Sequence, residues 1–384
     1  MPNHHLLPPE IWLQIFRWAT TSDRERELIT ATYTPFQPPA TDAFDPLIAV
    51  KRTLALVCRQ WKRLSIEFLY EDLRISRGTH VLKDILGQEG GCGRLVRRVV
   101  LPFPSTVTSL NHYLPSVEIL RLCTNLETLV RPRLVLPEAL QFHFDAEVLP
   151  FHTLRRLDWW YHNEAERSGG INSLNAVLHT APNLQYLSVG GVVGYGRVVI
   201  DTLPLSLPEL HTLRLNGSNG LFLRQLVELW SLPSLLHVIV DFPLAELGMN
   251  RIWDTFGSQL RTVEFGRHIR FLMNDHVTSC LRGCSNLVEL NYFLFFTSTP
   301  DLKVPHTSIT TIGLHAAVNE LLQDGEAVCS HIERHFAIFM NGAFPALKRI
   351  FLFGEWRGII SHPRLAPMWR AANDHGIAFI TSER

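Results

Sequence analysis

The sequence has no excess of either charge and no long hydrophobic run. Lys plus Arg and Asp plus Glu each number 36 in 384 residues, so the formal net charge is zero. Nucleic-acid binding needs a cationic surface, and binding to an anionic membrane surface needs a basic cluster. Apolar stretches such as YFLFF, which begins at Tyr292, are too short to span a bilayer. We therefore expect neither a nucleic-acid nor a membrane partner.

Cysteine is scarce and dispersed, and the start of the sequence lacks a targeting pattern. The first ten residues, MPNHHLLPPE, have neither the cationic start nor the apolar run of a secretory signal peptide. We therefore expect reduced thiols and a location in the cytoplasm, the nucleus or both. The six cysteines occur singly, at Cys58, Cys92, Cys123, Cys280, Cys284 and Cys329.

Complete catalytic or metal-binding motifs are also lacking, so we expect a non-enzymatic protein without cofactor or metal. HIERH places two histidines one helical turn apart, but Ile332 stands where a zinc protease needs its general-base Glu. His276, Cys280 and Cys284 are spaced by four residues, so the outer two would lie about 12 Å apart on a helix. One zinc ion cannot bind all three. Polar helix residues and packing thiols are the simpler interpretations.

What the sequence does contain is a repeat. The pattern apolar-x-x-apolar-x-apolar recurs about every 25–30 residues, the period of leucine-rich repeats. Each copy predicts a short strand with alternate residues inward, and Pro182, Pro208, Pro233 and Pro345 mark turns into four of them. Two weaker copies, LVRRVVL and NLETLVR, precede eight clear ones. The clear copies begin at Leu154, Leu184, Leu210, Leu235, Leu260, Leu287, Ile309 and Leu347.

Between the strands the apolar spacing becomes helical. Ile252, Trp253 and Phe256 form one such stripe, and Ile332 and Phe336 belong to another. A strand and a helix per repeat predict an α/β leucine-rich-repeat-like strand–helix solenoid over residues 95–384 with a C-terminal cap. The chain resembles the irregular members of that repeat family.

The first seventy residues have a different pattern, and it is helical. LPPEIWLQIF begins with Leu7, Pro8 and Pro9, and Pro suits the first helical turn, where its missing N–H costs little. Residues 45–69 carry one sustained apolar stripe: Val50, Leu54, Val57, Trp61, Leu64 and Phe68. A helix that is apolar on two sides, as the first one is, needs cover on both.

These N-terminal residues resemble the F-box. Leu7-Pro8, Ile11/Ile15-Phe16 and Leu54/Val57-Cys58-Trp61 stand in the family's order, and FLYEDLRI resembles the exit segment of many fungal F-box proteins. We assign residues 5–75 to an all-helical F-box and 76–94 to a linker. Residues 21–44 form an insertion whose Pro, Thr and Asp content predicts an exposed loop. The insertion would impair docking if it folded over the outer face.

The resemblance implies a substrate-recognition subunit of an SCF-type ubiquitin ligase, with no chemistry of its own. The F-box would bind the Skp adaptor, and through it the cullin and RING subunits, while the repeats hold an unknown target protein. The alternative is a leucine-rich-repeat scaffold that binds a partner without assembling into a ligase. The residues expected to bind the adaptor are Leu7, Pro8, Pro9, Ile11, Ile15, Phe16, Leu54, Val57, Cys58 and Trp61.

Target binding is expected on the side chains between the apolar strand positions. Their charges alternate in sign, so they indicate no simple acidic target, and aromatics concentrate in the last repeats. Aromatic residues are frequent binding hot spots, but the C-terminal tail MWRAANDHGIAFI could instead bury them as a cap. The candidates are Arg156, Trp160, Tyr186, Arg214, His237, Glu264, Glu289, Phe293, Arg349, Phe351 and Phe353.

Overall fold

The computed structural model describes residues 7–20, 30–39, 47–75, 79–88, 90–101, 116–131, 149–160, 174–191, 203–218, 220–243, 246–322 and 324–382. These residues form a mixed α/β fold. Residues 21–29 and 40–44 of the insertion and 76–78 of the expected linker lie outside them. Among the described residues, no helix has the length and hydropathy that crossing a bilayer requires.

The α-helices of the described residues are α1 Pro9–Thr20, α2 Ile48–Val57, α3 Arg59–Tyr70, α4 Thr79–Gly87, α5 Ser116–Leu122, α6 Leu174–His179, α7 Gly220–Leu229, α8 Glu246–Phe256, α9 Ile269–Met273, α10 His276–Gly283, α11 Gly325–Met340, α12 Arg357–Ile360 and α13 Ala366–Asp374. The strands are β1 Asp72–Arg74, β2 Arg98–Val100, β3 Thr128–Arg131, β4 Arg156–Trp160, β5 Tyr186–Gly190, β6 Leu205–Ser206, β7 Thr212–Asn216, β8 Trp230–Ser231, β9 His237–Val240, β10 Thr262–Phe265, β11 Glu289–Phe293, β12 Thr311–Ala316, β13 Arg349–Gly354 and β14 Ala378–Ser382.

All strands except β6 and β8 belong to a large parallel sheet of twelve strands. Each of the ten repeat copies became one of these strands, so the strand prediction is confirmed. The described residues form two compact units. Unit 1 takes those of Met1–Thr32, Pro38–Ser188 and Leu205–Pro208, and unit 2 takes those of Tyr33–Gln37, Val189–Pro204 and Glu209–Arg384.

Strand alternation determines the core of each unit. In unit 2, Val263 and Phe265 of β10 are fully buried, and Phe265 contacts Trp253 of α8 with ring centroids 6.4 Å apart. The equivalent position of β11 is Tyr292, whose ring lies 5.5 Å from that of His335 of α11. These strand positions therefore face the helices, and the positions between them face the other side of the sheet.

A polar residue immediately before the apolar pattern connects successive repeats. Asn286 Nδ2 donates to the Ser258 carbonyl at 2.8 Å, and Gln259 Nε2 donates to the Leu232 carbonyl at the same distance. Since each bond satisfies a turn carbonyl of the preceding repeat, the repeats are joined outside the sheet as well. Asn125, Thr153, Asn183 and Ser308 make the same kind of bond.

Two expectations about the N-terminal region are corrected. The stripe from Val50 to Phe68 does not lie on one helix: α2 ends at Val57, and Cys58 has an extended backbone. The Cys58 sulfur accepts the N–H of Trp61 at 3.4 Å and thereby caps α3. The span 76–94, expected to be a linker, contains helix α4 and a 3₁₀ turn, Cys92–Leu95.

Removing one of the inter-repeat bonds should destabilise unit 2 measurably. We expect Asn286→Ala and Asn286→Asp each to lower the free energy of unfolding by about 1 kcal/mol, because both lose the donor to the Ser258 carbonyl. Urea unfolding measures this. Ser285→Ala is the matched control, since it alters an adjacent exposed side chain and leaves the backbone carbonyl. Wild-type stability of the Asp variant would contradict the prediction.

Candidate functional site

Helix α1 has one aromatic side inside the protein. The helix begins where the N–H of Ile11 bonds to the Pro8 carbonyl at 3.0 Å. Phe16 is 1% exposed, and its ring lies 4.8 Å from that of Trp61 of α3. Trp12 lies 4.8 Å from Trp61 as well, so the three rings pack the helices together.

The other side of α1 and the end of α2 expose apolar side chains. Ile11 and Ile15 are 39% and 36% exposed, and Leu56 and Val57 are 84% and 55% exposed. Isolated exposed apolar residues are ordinary, but several on a pair of contacting helices mark a candidate interaction surface. We call Leu7, Ile11, Ile15, Leu56 and Val57 the apolar helix surface.

The structure divides the ten residues expected to bind the adaptor. Phe16 is buried, which corrects its assignment to the surface, and Leu54 and Trp61 are half-buried. Sequence reasoning missed Leu56 and left Trp18 out of the site, although both are strongly exposed. Leu56 lies outside the predicted apolar stripe. An apolar residue on the otherwise polar side of the helix was the feature of the sequence that could have indicated an exposed apolar side chain. The remaining seven are exposed: Leu7, Pro8, Pro9, Ile11, Ile15, Val57 and Cys58.

The side of the unit 2 sheet that faces away from the core carries the predicted rows of side chains. The register aligns Glu264 with Asn291, and Asn291 with Gly313. It aligns Phe293 with His315, and His315 with Phe353. We call this side, defined by Arg214, His237, Glu264, Asn291, Phe293, His315 and Phe353, the anchor face.

Residues Tyr33–Gln37 of the insertion lie on the anchor face. Gln37 is buried and the other four are half-buried, which corrects the expectation of an exposed loop here. The N–H of Gln37 bonds to the Thr34 carbonyl at 3.3 Å, so the segment contains a β-turn with Pro35 and Phe36 in its centre. We call Tyr33–Gln37 the turn segment.

Glu264 is the central acceptor of the anchor face. Its Oε2 accepts the Tyr33 hydroxyl at 2.8 Å and the backbone N–H of Phe36 at 2.9 Å. The side chain is 1% exposed, and burial raises its pKa to about 7 against the lowering effects of Arg214 and of these two hydrogen bonds. The pKa of Tyr33 is raised well above its usual value, by burial first and then by Glu264.

Arg214 and Asn291 complete the polar contacts. Arg214 donates from Nη1 to the Gln37 carbonyl at 2.6 Å and from Nη2 to Asp241 Oδ1 at 3.0 Å. Asn291 Nδ2 donates to the Tyr33 hydroxyl at 2.7 Å. A side chain at Gly313 would collide with the Asn291 amide oxygen, so the glycine in the next strand makes room for this contact.

Aromatic rings hold the two ends of the turn segment. Tyr33 stacks on His237, with ring centroids 4.9 Å apart and planes 11° apart. Phe36 contacts Phe293 at 5.1 Å, His315 at 5.2 Å and Phe353 at 4.9 Å between centroids. Burial lowers the pKa of both His237 and His315 to about 4, so both rings are neutral at pH 7.

Phe36 has a left-handed backbone, with φ of 57°. A Pro in the second turn position and a positive φ in the third are features of a type II turn, which normally takes Gly in the third position. The conformation costs an L-residue about 1–2 kcal/mol. It persists because the ring occupies the Phe293, His315 and Phe353 pocket while the N–H bonds to Glu264.

In unit 1, Arg156 forms a separate buried cluster. Its Nε and Nη2 donate to Asp158, and Nη1 donates to the Thr30 carbonyl at 2.9 Å. The guanidinium lies over the Tyr186 ring, 4.3 Å from its centroid. Arg156 and Tyr186 are fully buried, so they belong to the packed interior of this conformation.

Most residues expected to bind a target are thus covered, not open. Arg349 is exposed, and Trp160, His237, Glu289, Phe293 and Phe351 are half-buried. The alternative that the C-terminal tail covers the late aromatics holds only in part. The tail strand β14 pairs with β13, and Trp369 contacts Trp356. Phe293 and Phe353 are instead contacted by Phe36. The tail forms α13 and β14, whose Trp369 and Phe379 contact Phe336. The buried candidates are Arg156, Tyr186, Arg214, Glu264 and Phe353.

The HIERH histidines have a structural role in the core. His331 Nε2 bonds to the Leu294 carbonyl at 2.8 Å, and His335 bonds to the Thr297 carbonyl and the Tyr292 hydroxyl. They are polar residues of helix α11, and both are buried. Burial lowers the pKa of His335 to about 3. The described part of the chain has no group of three metal-ligating side chains, and Cys280 and Cys284 are free and buried.

No protein-family model and no curated protein matches this chain.

Replacing Glu264 by Gln should change how stability depends on pH. An unfolded Glu has a pKa near 4.3, whereas the folded pKa is about 7, so the folded state binds the proton more tightly. The stabilising contribution is complete at low pH and is lost as pH rises to about 7. The free energy of unfolding of the wild type minus that of Glu264→Gln should therefore fall from about pH 4 to about pH 7 and change little above that, as measured by urea unfolding. A pH-independent difference would contradict the assignment.

At Phe36 we expect the Gly variant to be more stable than the Ala variant, which is the reverse of the usual order of stability. Both substitutions remove the same ring, but Phe36→Ala keeps the strain at φ 57° and Phe36→Gly relieves it. We expect the Gly variant to be more stable by about 1 kcal/mol. The control is the same pair at Arg334, an exposed position of α11, where Ala should be the more stable. An unreversed order at Phe36 would show that the turn rearranges.

Proposed function

We propose that this protein is the substrate-recognition subunit of an SCF-type ubiquitin ligase. Its N-terminal helices α1–α3 act as an F-box that binds the Skp adaptor, and its strand–helix repeats act as the target-binding solenoid. The observation that carries the proposal is the apolar helix surface, where Ile11, Ile15, Leu56 and Val57 are exposed. The protein performs no covalent step itself. It brings target lysines close to the charged E2 enzyme, and so raises their effective concentration.

The geometry of the N-terminal helices supports adaptor binding. The Trp12, Phe16 and Trp61 rings pack α1 against α3 from within, so α1 does not need its outer side for internal packing. The outer side exposes Ile11 and Ile15. Burial of their apolar surface against a partner would contribute about 25 cal/mol of binding free energy for each Å². A three-helix region this small gains stability from such a partner.

The repeats support a leucine-rich-repeat-like solenoid. Each copy contains a buried strand of the parallel sheet, and six of the ten copies carry a polar side chain that bonds to the preceding copy. Repeat proteins of this kind use the exposed strand side as an extended binding surface. The anchor face occupies that side in unit 2, and it already holds a short segment of polypeptide.

Adaptor binding can be tested by co-purification with a Skp adaptor. We expect the wild-type chain to be captured and Ile15→Asp to bind at least 100-fold more weakly, about 2.8 kcal/mol. The reason is that a carboxylate without a partner would be buried in an apolar interface. Gln14→Asp is the matched control, because it adds the same charge on an adjacent exposed position of α1.

The controls separate loss of binding from loss of folding. Circular dichroism of Ile15→Asp must match that of the wild type, which is expected since Ile15 is an exposed side chain. Leu56→Asp should reproduce the loss from α2. Failure of the folded wild-type chain to bind the adaptor would reject the ligase proposal and leave a repeat scaffold.

A further inference from the structure

The turn segment resembles a bound peptide more than a core element. It consists of five residues that lie far along the chain from their partners, 177 residues from Gln37 to Arg214 and 228 from Phe36 to Glu264. Its contacts include a buried carboxylate and a buried guanidinium. A hydrophobic core is usually filled by apolar side chains, whereas a specific binding site combines aromatic pockets with a few placed polar groups.

We propose that the anchor face is a peptide-binding site for segments with the order Tyr-x-Pro-Phe, and that the turn segment is its resident occupant. The ligand class is thus a polypeptide turn with an aromatic residue on each side of an x-Pro pair. An external segment of this class would replace Tyr33–Gln37. The inference rests on the proposed function in one respect only, namely that the external segment belongs to the target protein.

Two hydrogen bonds of the site are made with the backbone of the peptide. Arg214 donates to the Gln37 carbonyl, and Glu264 accepts the N–H of Phe36. A second peptide in the same turn would make both bonds whatever its side chains. Asp241 holds the Arg214 guanidinium from Nη2, so the donor is already oriented before a peptide arrives.

Two pockets read the side chains. In the tyrosine pocket, His237 stacks on the face of the Tyr33 ring, and Glu264 and Asn291 form hydrogen bonds with its hydroxyl. Because the hydroxyl both donates to Glu264 and accepts from Asn291, Phe in place of Tyr would leave buried groups without partners, which favours Tyr. This pocket depends on the space that Gly313 leaves for the Asn291 side chain.

The second pocket receives the phenylalanine. Phe293, His315 and Phe353 meet the Phe36 ring edge to face, at centroid distances of 4.9–5.2 Å. His315 also stacks on Phe293 at 4.5 Å, which fixes one wall of the pocket. The turn at Pro35 and Phe36 directs the ring into this pocket. That orientation requires the strained, left-handed backbone of Phe36.

Tethering explains how the occupant would regulate access. Because the turn segment belongs to the same chain, it competes at an effective concentration of about 1 mM and can lower the apparent affinity for an external peptide by a factor of about 100 or more. An external peptide therefore binds the wild-type chain weakly and binds a chain without the two anchor rings strongly. This competition makes the site selective for partners with a high local concentration or additional contacts.

The test is peptide binding in trans to the full-length chain without any adaptor. The probe is a fluorescein-labelled peptide of residues 31–39, ATYTPFQPP, and the opened variant is Tyr33→Ala/Phe36→Ala. Fluorescence anisotropy should show binding to the opened variant at least 100-fold tighter than to the wild type. Equal binding to both chains, or none to the folded opened variant, would overturn the proposal.

Matched peptides test which residues are read. Replacing Phe36 by Ala in the peptide, or Tyr33 by Phe, should weaken binding at least 10-fold, whereas Thr34→Ala keeps both rings and should leave binding unchanged. A scrambled peptide of the same composition measures non-specific adhesion. If the scrambled peptide binds as well as the parent, the anchor face does not recognise the sequence and the proposal fails.

A second measurement covers an opened variant that folds poorly. In that case it is refolded with and without 1 mM unlabelled peptide, and its melting temperature is followed by circular dichroism. A ligand that binds only the folded state raises the melting temperature, so the parent peptide should restore it and the Phe36→Ala peptide should not. No restoration would overturn the proposal. Because adaptor is absent throughout, failure here is distinct from failure of the Ile15→Asp experiment.

Discussion

The carboxylate of Glu264 is the constraint on which the anchor face depends. A carboxylate that is 1% exposed needs hydrogen-bond partners, because an unpaired buried charge is strongly unfavourable. The turn segment supplies two, the Tyr33 hydroxyl and the Phe36 N–H. Those bonds position the Phe36 ring, which in turn covers the late aromatics of the sheet. An acidic position in β10 thus contributes, together with Arg214, Asn291 and the surrounding rings, to where a distant part of the chain lies.

The parallel sheet makes this arrangement possible because its two sides have different tasks. One residue in two, such as Val263 and Phe265, packs against the helices and stabilises unit 2. The alternate residues are freed from that packing, and neighbouring strands align them in rows 4.7–4.9 Å apart. Rows of this kind can juxtapose Arg214, Glu264 and Asn291 without any of them entering the hydrophobic core.

The N-terminal helices use the same division on a smaller scale. Aromatic rings fill the interior of α1–α3, while branched apolar side chains remain outside on α1 and α2. Cys58 separates α2 from α3, because its sulfur caps the start of α3. The break places Leu56 and Val57 at a helix end, where both are exposed. A periodicity argument across residues 50–68 could not detect it, since the cap is a single sulfur contact.

The sequence alone determined the strands, their spacing and the rows of side chains between the apolar positions, because alternation and a repeat period are local properties that survive any packing. It could also identify α1 and its exposed Ile11 and Ile15. Only the tertiary structure decided which side chains are accessible. Burial of Phe16, the histidines of α11 and Glu264 depends on residues distant in the chain. Tyr33 and Phe36 show this most clearly, because their local composition predicts an exposed loop. Hydrogen-bonding groups and rings that lie more than two hundred residues further along the chain place them on the sheet instead.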